Sequence, residues 1–447
     1  MKYFLFLLFG CIMFLTESCK KDWLEAKSDT SKFIPTTVRD FQELINNEVM
    51  LNLQEGFIED AGADDYTVDN ESYKFLDEES RNLYIWNKDI FSNRTSRDWN
   101  NRYQKIFIAN VVLEGLEKLG ANAITDQTNN IKGAALFYRA CAFHQIAQAF
   151  AKPYDPVTAE TDAGIPLRLS PSLDERISRS TVKETYGKII TDLWQARDLL
   201  KPSSAYVTQP NRNCVTGLLA RIYLTMNNYD SSLFYANANL ALSDTLLDYN
   251  TLNADNDYSM PITNPEILLM QRDYLSDWLS VGAADSVLYN SYVNNDLRKS
   301  LFFKNNSGIN NYRGSYSGSV LPFCGIATDE LYLIRSECLA RQANTADAMA
   351  TLNKLLSRRF ATGTFVPLIA ADRQEALRII LDERRKELPF RNLRWSDLRR
   401  LNVSGAAITL KRVIDGTEYT LLPNDKRYVL PIPPDVISKS GIAQNER

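Results

Sequence analysis

The sequence contains one histidine, His144, among 447 residues. A single imidazole cannot build a histidine-rich metal site or support chemistry that needs two histidines, and a catalytic triad would require partners that the sequence does not single out. We therefore interpret His144 as a hydrogen-bonded structural residue of a helix. No GxSxG, P-loop or GxGxxG motif occurs either, so the common signatures of acyl-transfer and nucleotide-binding sites are missing.

Metal and redox motifs are lacking as well. Cys141, Cys214, Cys324 and Cys338 show no CxxC spacing, which argues against a zinc or thiol-redox site. We predict buried thiols, although four cysteines in an exported chain allow three disulfide pairings. The run Asp255–Asp257 carries calcium-type ligands but lacks the glycine and the terminal glutamate of an EF-hand. We predict no metal and no cofactor.

Neither sign of charge is in excess. The 51 basic and 55 acidic residues give a net charge of −4, so nothing points to nucleic acid or to an anionic membrane surface as a partner. The acidic residues offer many carboxylate pairs, but none is marked as a glycosidase dyad, and we predict a protein without enzymatic activity. Aromatic residues are plentiful, with 22 Tyr, 20 Phe and 6 Trp, and most of them should pack the core or anchor loops.

The N-terminus has the pattern of an export signal. Lys2 precedes an apolar run from Tyr3 to Leu15, which is too short to span a membrane as a helix. Cys11 follows Leu-Phe-Gly, which is lipobox-like, but apolar residues continue after it. Cys19 is followed at once by Lys-Lys-Asp, where a lipidated chain must leave the bilayer. We predict that residues 1–18 are a lipoprotein signal peptide and that Cys19 is lipidated, the alternative being an ordinary secretory signal cut elsewhere.

Helical periodicity dominates the remainder of the chain. Trp99, Tyr103, Ile106 and Asn110 lie at spacings of four, three and four, which places them on one helix face. Helical pairs follow, and the third and fourth pairs superpose at an offset of 116 positions, with Asn228 on Asn344. Helix pairs with small residues at their crossings indicate tetratricopeptide-like repeats. The predicted segments are Ile131–Phe150, a helix capped by Arg179–Val182, Val215–Met226 with Ser231–Leu242, and Thr328–Arg341 with Ala346–Arg358.

Residues 372–402 carry the densest pattern of charge. Apolar residues at helical spacing predict an amphipathic helix that ends near Leu388, because Pro389 stops it. We interpret most of the charges as a solvated face, and we expect internal ion pairs for Glu383, Arg394 and Asp397. Trp395 should lie in the core.

This stretch also carries a resemblance. The pattern E-R-R-K-E-L-x-F-R-x-x-R-W-x-D-L-R-R, from Glu383 to Arg400, resembles the C-terminal signature of SusD/RagB-family nutrient-binding lipoproteins, in which it is scaffold. Three further segments resemble family elements in the same order along the chain. They are W-x3-Y-x2-I-x3-N from Trp99, Gly164-Ile165-Pro166-Leu167, and the closing Leu430-Pro431-Ile432-Pro433 with Gln444-Asn445.

The resemblance implies a mainly α-helical fold, in which a tetratricopeptide-like helix-pair scaffold carries long irregular loops and few short strands. It implies one compact unit, with an N-terminal part in 19–245 and a C-terminal part in 246–447. It also implies a lipid-anchored surface protein of the outer membrane that captures oligosaccharides and delivers them to a TonB-dependent transporter. Peptide ligands, a protein-binding adaptor and a glycan-cleaving enzyme are the alternatives.

Family members carry an aromatic arc built from loops in two parts of the chain. By that resemblance we predict ligand binding at two irregular, aromatic-rich regions, 56–98 and 246–323. Side chains there lack a helical period that would demand a core position, and loops on a rigid scaffold often bind ligands. An adaptor would instead bury these aromatics, and an enzyme would need a carboxylate pair beside them. The candidates are Asp65, Tyr66 and Trp86 from the first region and Trp278, Tyr312 and Tyr316 from the second.

Overall fold

Eighteen α-helices and ten short strands make up the described part of the chain. The computed structural model describes residues 35–447 except 54, 55, 57 and 173, so the predicted signal peptide and Cys19 lie outside it. In chain order, α1–α18 are Val38–Ile45, Glu48–Leu51, Ile58–Gly62, Asn70–Phe75, Glu78–Tyr84, Arg97–Lys118, Asp126–Phe150, Val182–Leu199, Arg212–Thr225, Tyr229–Leu240, Asp277–Val281, Ser286–Ser291, Arg298–Phe302, Thr328–Arg341, Thr345–Leu356, Arg373–Glu387, Arg394–Val403 and Pro434–Ser440.

The strands form five antiparallel pairs, β1–β5, β2–β3, β4–β8, β6–β7 and β9–β10, and four of the five are no longer than four residues a strand. The fold is therefore mainly α-helical, as predicted. No helix among the described residues is long and apolar enough to cross a membrane. In chain order, β1–β10 are Tyr66–Thr67, Ala163–Pro166, Arg179–Thr181, Ile267–Leu269, Ala283–Ala284, Phe303–Asn306, Ile309–Tyr312, Ile326–Ala327, Leu410–Ile414 and Thr417–Leu421.

Long helices α6, α7 and α8 pack side by side, and their starts follow from local capping. Helix α7 begins five residues before the predicted Ile131, because Thr125 and Thr128 form a capping box. Helix α8 begins as predicted, with Thr181 as N-cap and Glu184 closing the box. Each box satisfies main-chain N–H groups that the first helical turn leaves unpaired.

The pairs α9–α10 and α14–α15 confirm the predicted repeat. All four helix boundaries are related by 116 positions, and Asn228 and Asn344 are the equivalent N-caps. The residues before them, Asn227 and Ala343, both have positive φ, at 57° and 62°. In α10 the Ser232 hydroxyl donates to the Ala220 carbonyl of α9, whereas in the other pair the Ser336 hydroxyl of α14 donates to the Ala348 carbonyl of α15. The serine therefore lies on the second helix of one pair and on the first helix of the other, but both pairs keep a hydroxyl-to-carbonyl hydrogen bond where the helices cross.

The charged signature, which runs from Glu383 at the end of α16 through α17, lies largely inside the molecule, whereas the first half of α16 has a solvent-exposed face. The prediction of internal ion pairs is confirmed. The interpretation of the other charges as a solvated face is wrong for six residues that are buried: Arg384, Lys386, Glu387, Arg391, Arg399 and Arg400. Helix α16 contacts α14 and α15 as well as α12 of the long insertion, so more than one of its faces is covered. The three predicted pairs are Glu383 with Arg298 (2.6 Å), Arg394 with Asp64 (2.7 Å) and Asp397 with Arg384 (2.8 Å).

Trp395 lies in a small second core beside the main one, as predicted. Its side chain is 1% exposed, and its ring lies 4.8 Å from that of Tyr428, between centroids. A Cβ atom built on Gly62 would come within 3.0 Å of the Trp395 ring, so α3 and α17 pack in direct contact there. The second core comprises Ala63, Trp86, Trp395, Leu398, Leu410, Leu421 and Tyr428.

Candidate functional site

The two aromatic loop regions meet, although they are far apart in the sequence. Strand β1 pairs with β5, with Tyr66 opposite Ala284, and this pairing brings Tyr66 to Trp278 with ring centroids 4.4 Å apart. Trp278 lies 6.2 Å from Phe390, which lies 4.4 Å from Tyr312. These four rings form an aromatic column that joins both loop regions to the turn between α16 and α17.

The aromatic column belongs to the core and not to an open surface. Tyr66 and Trp278 are buried, and only Tyr312 is partly exposed. The expectation that these rings face solvent is therefore wrong for the first two. Phe390 has a positive φ of 57°, an unusual conformation for a bulky residue, and its ring fills the space between Trp278 and Tyr312. The Tyr66 hydroxyl donates to the Ala61 carbonyl at 2.9 Å, which satisfies its polar end.

Trp86 is buried in the second core and lies outside the column. Its Nε1 donates to the Gly62 carbonyl at 2.9 Å, and the guanidinium of Arg412 lies 4.7 Å from its ring. Simple burial of Trp86 is what the structure shows. Direct stacking of this ring on a ligand would require the second core to open.

Tyr316 is also buried, although its loop is rich in glycine and serine. Its hydroxyl is 2.9 Å from that of Tyr249 and donates to Glu266 at 3.1 Å. Burial raises the pKa of Glu266 to about 7 despite the nearby Arg359 guanidinium, 2.8 Å away. Tyr316 is therefore not exposed: its hydroxyl is satisfied by Tyr249 and Glu266, and the hydroxyls of Ser315 and Ser317 bond within the loop, to the Leu321 carbonyl.

Asp65 belongs to a set of ion pairs that hold the loops against α16. Arg385 of α16 contacts Asp65 at 3.5 Å, Asp285 at 3.2 Å and Asp64 at 3.3 Å. Burial raises the pKa of Asp65 to about 6, against the opposing effect of Arg385. Arg385 therefore joins the first loop, the second loop and the signature helix through one guanidinium.

The solvent-exposed edge of the second loop region is the hairpin β6–β7. Ser307 and Gly308 both have positive φ, at 53° and 92°, as a two-residue type I′ turn requires. Asn305 Nδ2 donates to Asn310 Oδ1 at 2.8 Å, and Asn306 Nδ2 donates to Asn311 Oδ1 at 2.9 Å. We call these four amides the asparagine ladder. The signal NNSGINN was available in the sequence, but amides were not among the predicted site residues.

The asparagine ladder is tied to the aromatic column. Asn311 Nδ2 donates to the Gly282 carbonyl at 3.2 Å, and β7 ends at Tyr312 of the column. Asn310 Nδ2 and Asn306 Oδ1 have no hydrogen-bond partner within the described ranges. The ladder therefore presents a free amide donor and a free amide acceptor on a hairpin whose base is fixed.

His144 and the cysteines have structural surroundings. His144 is buried, its Nε2 lies 3.3 Å from Gln148 Nε2, and burial lowers its pKa to about 3, as expected for a structural imidazole. The four cysteines of the described chain are buried. Among the residues that the structure describes, no group of three or more His, Cys, Asp or Glu side chains is arranged to hold a metal ion.

Comparison with known proteins gives matches along most of the chain. A family described as "Starch-binding associating with outer membrane" matches residues 22–224, and one described as "SusD family" matches residues 327–446. The chain is 22% identical over 427 residues to SusD-like protein P2 of Formosa agariphila, with 78% of this chain and 79% of the relative covered.

Solved structures agree in fold. A SusD superfamily protein from Bacteroides thetaiotaomicron has a TM-score of 0.73 and 22% identity, covering 92% of this chain and all of the other. A laminarin binding SusD-like protein has a TM-score of 0.65 and 17% identity, covering 91% of this chain and 97% of the other. The family resemblance seen in the sequence and the predicted fold class are both confirmed.

Proposed function

We propose that this chain, which belongs to the SusD/RagB family, captures oligosaccharides at the cell surface and passes them to a TonB-dependent outer-membrane transporter. The observation that carries the proposal is the match of the family to both ends of the chain, in the order that the signature motifs predict. The laminarin binding relative and the starch-binding description of the family support a carbohydrate as the ligand. A lipid anchor at Cys19, peripheral attachment to the outer membrane and transporter docking belong to the same proposal. The chain would bind and release its ligand without cleaving it.

The asparagine ladder is the part of the loop surface best suited to a sugar. Sugar hydroxyls both donate and accept hydrogen bonds, and Asn310 Nδ2 and Asn306 Oδ1 offer one donor and one acceptor. We propose that Tyr312 contacts a sugar ring directly, because it is the one aromatic candidate that is partly exposed, at the end of β7. The ladder needs little reorganisation to bind, because the hairpin is already held by Asn311 and by the aromatic column.

The other predicted residues would act on binding indirectly. Tyr66 and Trp278 fix the relative position of the two loop regions, and Trp86 anchors the first region to α17 through the second core. Asp65 holds both regions to α16 through Arg385. Tyr316 ties its loop to Glu266. We propose that these five residues preserve the shape of the site.

A protein-binding adaptor is a second candidate, because four of the five aromatic candidates in the loops are buried, as an adaptor would have them. Exposed aromatic side chains lie on the helical repeats as well as at Phe75 and Tyr258 of the loop regions. Trp194 of α8 is 44% exposed and Phe234 of α10 is 64% exposed, and the two helices are joined by a hydrogen bond of 2.9 Å from Trp194 Nε1 to the Tyr235 hydroxyl. A surface of this kind fits a protein partner better than a sugar.

Calorimetric titration of a glycan panel tests the proposal. We expect the wild type to bind at least one oligosaccharide class, and Asn306→Ala and Asn310→Ala each to weaken that binding by about 2- to 10-fold, the worth of one neutral hydrogen bond. Asn237→Ala is the matched control, since Asn237 is an exposed amide on α10, away from the loops. A wild type that binds no glycan but is captured by a membrane protein through Trp194 and Phe234 would favour the adaptor.

A further inference from the structure

A cavity of about 620 Å³ lies away from the loop site, among the α7–α8 connection, α17 and the C-terminal segment. Its lining includes Arg179 at the end of that connection, Arg399 of α17, and Asn445 near the C-terminus. The volume is in the range of ordinary ligand pockets and would admit one or two sugar residues. Neither arginine takes part in the ion pairs that lock the signature helices.

Arg399 is a buried guanidinium without a carboxylate partner. It is 2% exposed, and its Nη1 and Nη2 donate to the Gln148 and Ala151 carbonyls at the end of α7. Its Nε, also buried, has no hydrogen-bond partner among the described residues. The neighbouring signature residue Arg400, by contrast, is paired with Glu337 at 2.7 Å.

Capping of α7 explains part of this arrangement but leaves charge uncompensated. The last carbonyls of a helix carry about half a unit of negative charge, whereas a guanidinium carries a full positive charge. Burial lowers the pKa of Arg399 to about 10, which reflects the cost of holding this charge away from water, and the group is still charged at neutral pH. An anion in the cavity would lower that cost.

Arg179, which is partly exposed, adds a second guanidinium without a carboxylate partner among the described residues. Its nitrogens donate to the carbonyls of Ala163, Gly164 and Ala443. A guanidinium has five N–H donors, so two remain on Arg179 beyond these three bonds. Both arginines therefore retain donors in the wall of one cavity.

The other charges around the cavity are almost all paired with each other. The one acid of the lining without a basic partner is Asp155, whose carboxylate accepts from the main-chain N–H of Val157 at 2.9 Å. The four basic and four acidic side chains of the lining balance overall, but Arg179 and Arg399 are the two cations of the lining that contact no carboxylate among the described residues. The paired groups are Lys152 with Asp162 (2.6 Å), Lys426 with Glu446 (2.6 Å) and Asp425 with Arg427 (2.7 Å).

We infer that this cavity binds an anionic group, the carboxylate of a uronic acid or the sulfate ester of a sulfated sugar, through Arg179 and Arg399. Arginine suits both groups, because its planar fork matches two oxygens of a carboxylate or sulfate at once. The inference rests on the proposed function only in taking the carrier of the anion to be a glycan. It makes acidic glycans the preferred ligand class of this second site.

Calorimetry with matched monosaccharides tests the site. We expect the wild type to bind glucuronate at least tenfold more tightly than glucose, and binding to weaken as the salt concentration rises. Arg179→Gln should lose at least fivefold in affinity for glucuronate. Arg212→Gln is the matched control, because the exposed Arg212 likewise donates only to main-chain carbonyls and pairs with no carboxylate. It should bind as the wild type does.

Additional titrations identify the source of the anion, and a conservative variant distinguishes lost binding from misfolding. Inorganic sulfate and a sulfated oligosaccharide are titrated beside glucuronate, and the best ligand identifies the source. Arg399→Lys keeps the charge but loses the fork, so it should bind glucuronate more weakly with an unchanged circular dichroism spectrum. The inference is overturned if no anion binds the wild type, or if Arg179→Gln and Arg212→Gln have the same affinity. Intact binding of neutral glycans that depends on Asn306 would then leave the proposed function standing.

Discussion

Arg298 of α13 shows how single buried residues hold the charged signature in the fold. Its guanidinium contacts Glu383 at 2.6 Å, Glu387 at 2.9 Å and Asp296 at 2.7 Å. Glu387 also accepts from Arg359 at 2.7 Å, which extends the network toward β4. The attraction between these charges adds little net stability, because burying them away from water is costly. Removing one member is nevertheless strongly destabilising, since it leaves a buried charge without a partner. The charges therefore specify one arrangement of the helices.

Trp395 provides a test of burial at the residue scale. We expect Trp395→Ala to lower the free energy of unfolding by about 3–5 kcal/mol, because a large ring is removed from a packed core. Trp194→Ala is the matched control: it removes the same side chain from a site that is 44% exposed and should cost no more than about 1.5 kcal/mol. Denaturant unfolding followed by far-ultraviolet circular dichroism measures both. Equal losses for the two variants would contradict the assignment of Trp395 to the core.

The burial of charged residues could be predicted only in part from the sequence. A run such as Asp382–Glu387 has the alternating charge typical of a solvated helix face, and Asp382 is indeed exposed. The partners that bury the others lie far along the chain: Arg400 pairs with Glu337, and Arg394 pairs with Asp64. Periodicity reports only on neighbours in one element, so it cannot identify these pairs.

At the scale of elements, helices were predictable because their signals are local. Caps such as Thr181 and Asn228 lie within three residues of the N–H groups they satisfy, and the repeat offset was visible in the sequence. The two-residue strands β1 and β5 had no such signal. Their pairing sets Tyr66 opposite Ala284 and brings it against Trp278, so it buries two loop aromatics that a lack of helical period had suggested were open.

Substitutions at the two equivalent N-caps, Asn228 and Asn344, test whether the two helix pairs gain similar stability from their caps as well as having the same geometry. We expect Asn228→Ala and Asn344→Ala each to destabilise by about 0.5–2 kcal/mol, because each leaves a main-chain N–H of the first turn without its acceptor. Asn237→Ala, inside α10, should be neutral or slightly stabilising, since alanine favours helix interiors. Denaturant midpoints compare the three variants. A loss at only one cap would mean that the two pairs are alike in shape but not in stability.

For the whole molecule, the signature helix is the element to which both loop regions are fixed. Arg385 contacts Asp65 of the first region and Asp285 of the second, and Tyr292 of the second region donates to the Lys386 carbonyl at 2.7 Å. Through these contacts α16 holds both loop regions, and the second of them carries the asparagine ladder on its hairpin. Under the proposed function, a surface held in place in this way lowers the entropic cost of capturing a ligand.

Attachment to the membrane is the property of the whole molecule that remains a prediction. Fifteen residues lie between Cys19 and Pro35, the first described residue, and even fully extended they cannot span more than about 60 Å. A lipid on Cys19 would therefore keep the folded body close enough to the outer membrane to contact a transporter embedded there. A single short acyl chain holds weakly, so the anchor should carry more than one.

Labelling cells with a clickable fatty-acid analogue tests this anchor. We expect the wild type and Cys11→Ala to be labelled and Cys19→Ala to be unlabelled, because only Cys19 is followed at once by the polar Lys-Lys-Asp run. A TonB-dependent transporter should co-purify with the labelled protein from detergent-solubilised membranes, and recovery of that transporter should fall with Cys19→Ala, since the anchor confines both proteins to one surface. Label that persists in Cys19→Ala and disappears in Cys11→Ala would move the lipid to Cys11. Label on Cys19 without any transporter would leave an anchored binding protein and remove the hand-off from the proposal.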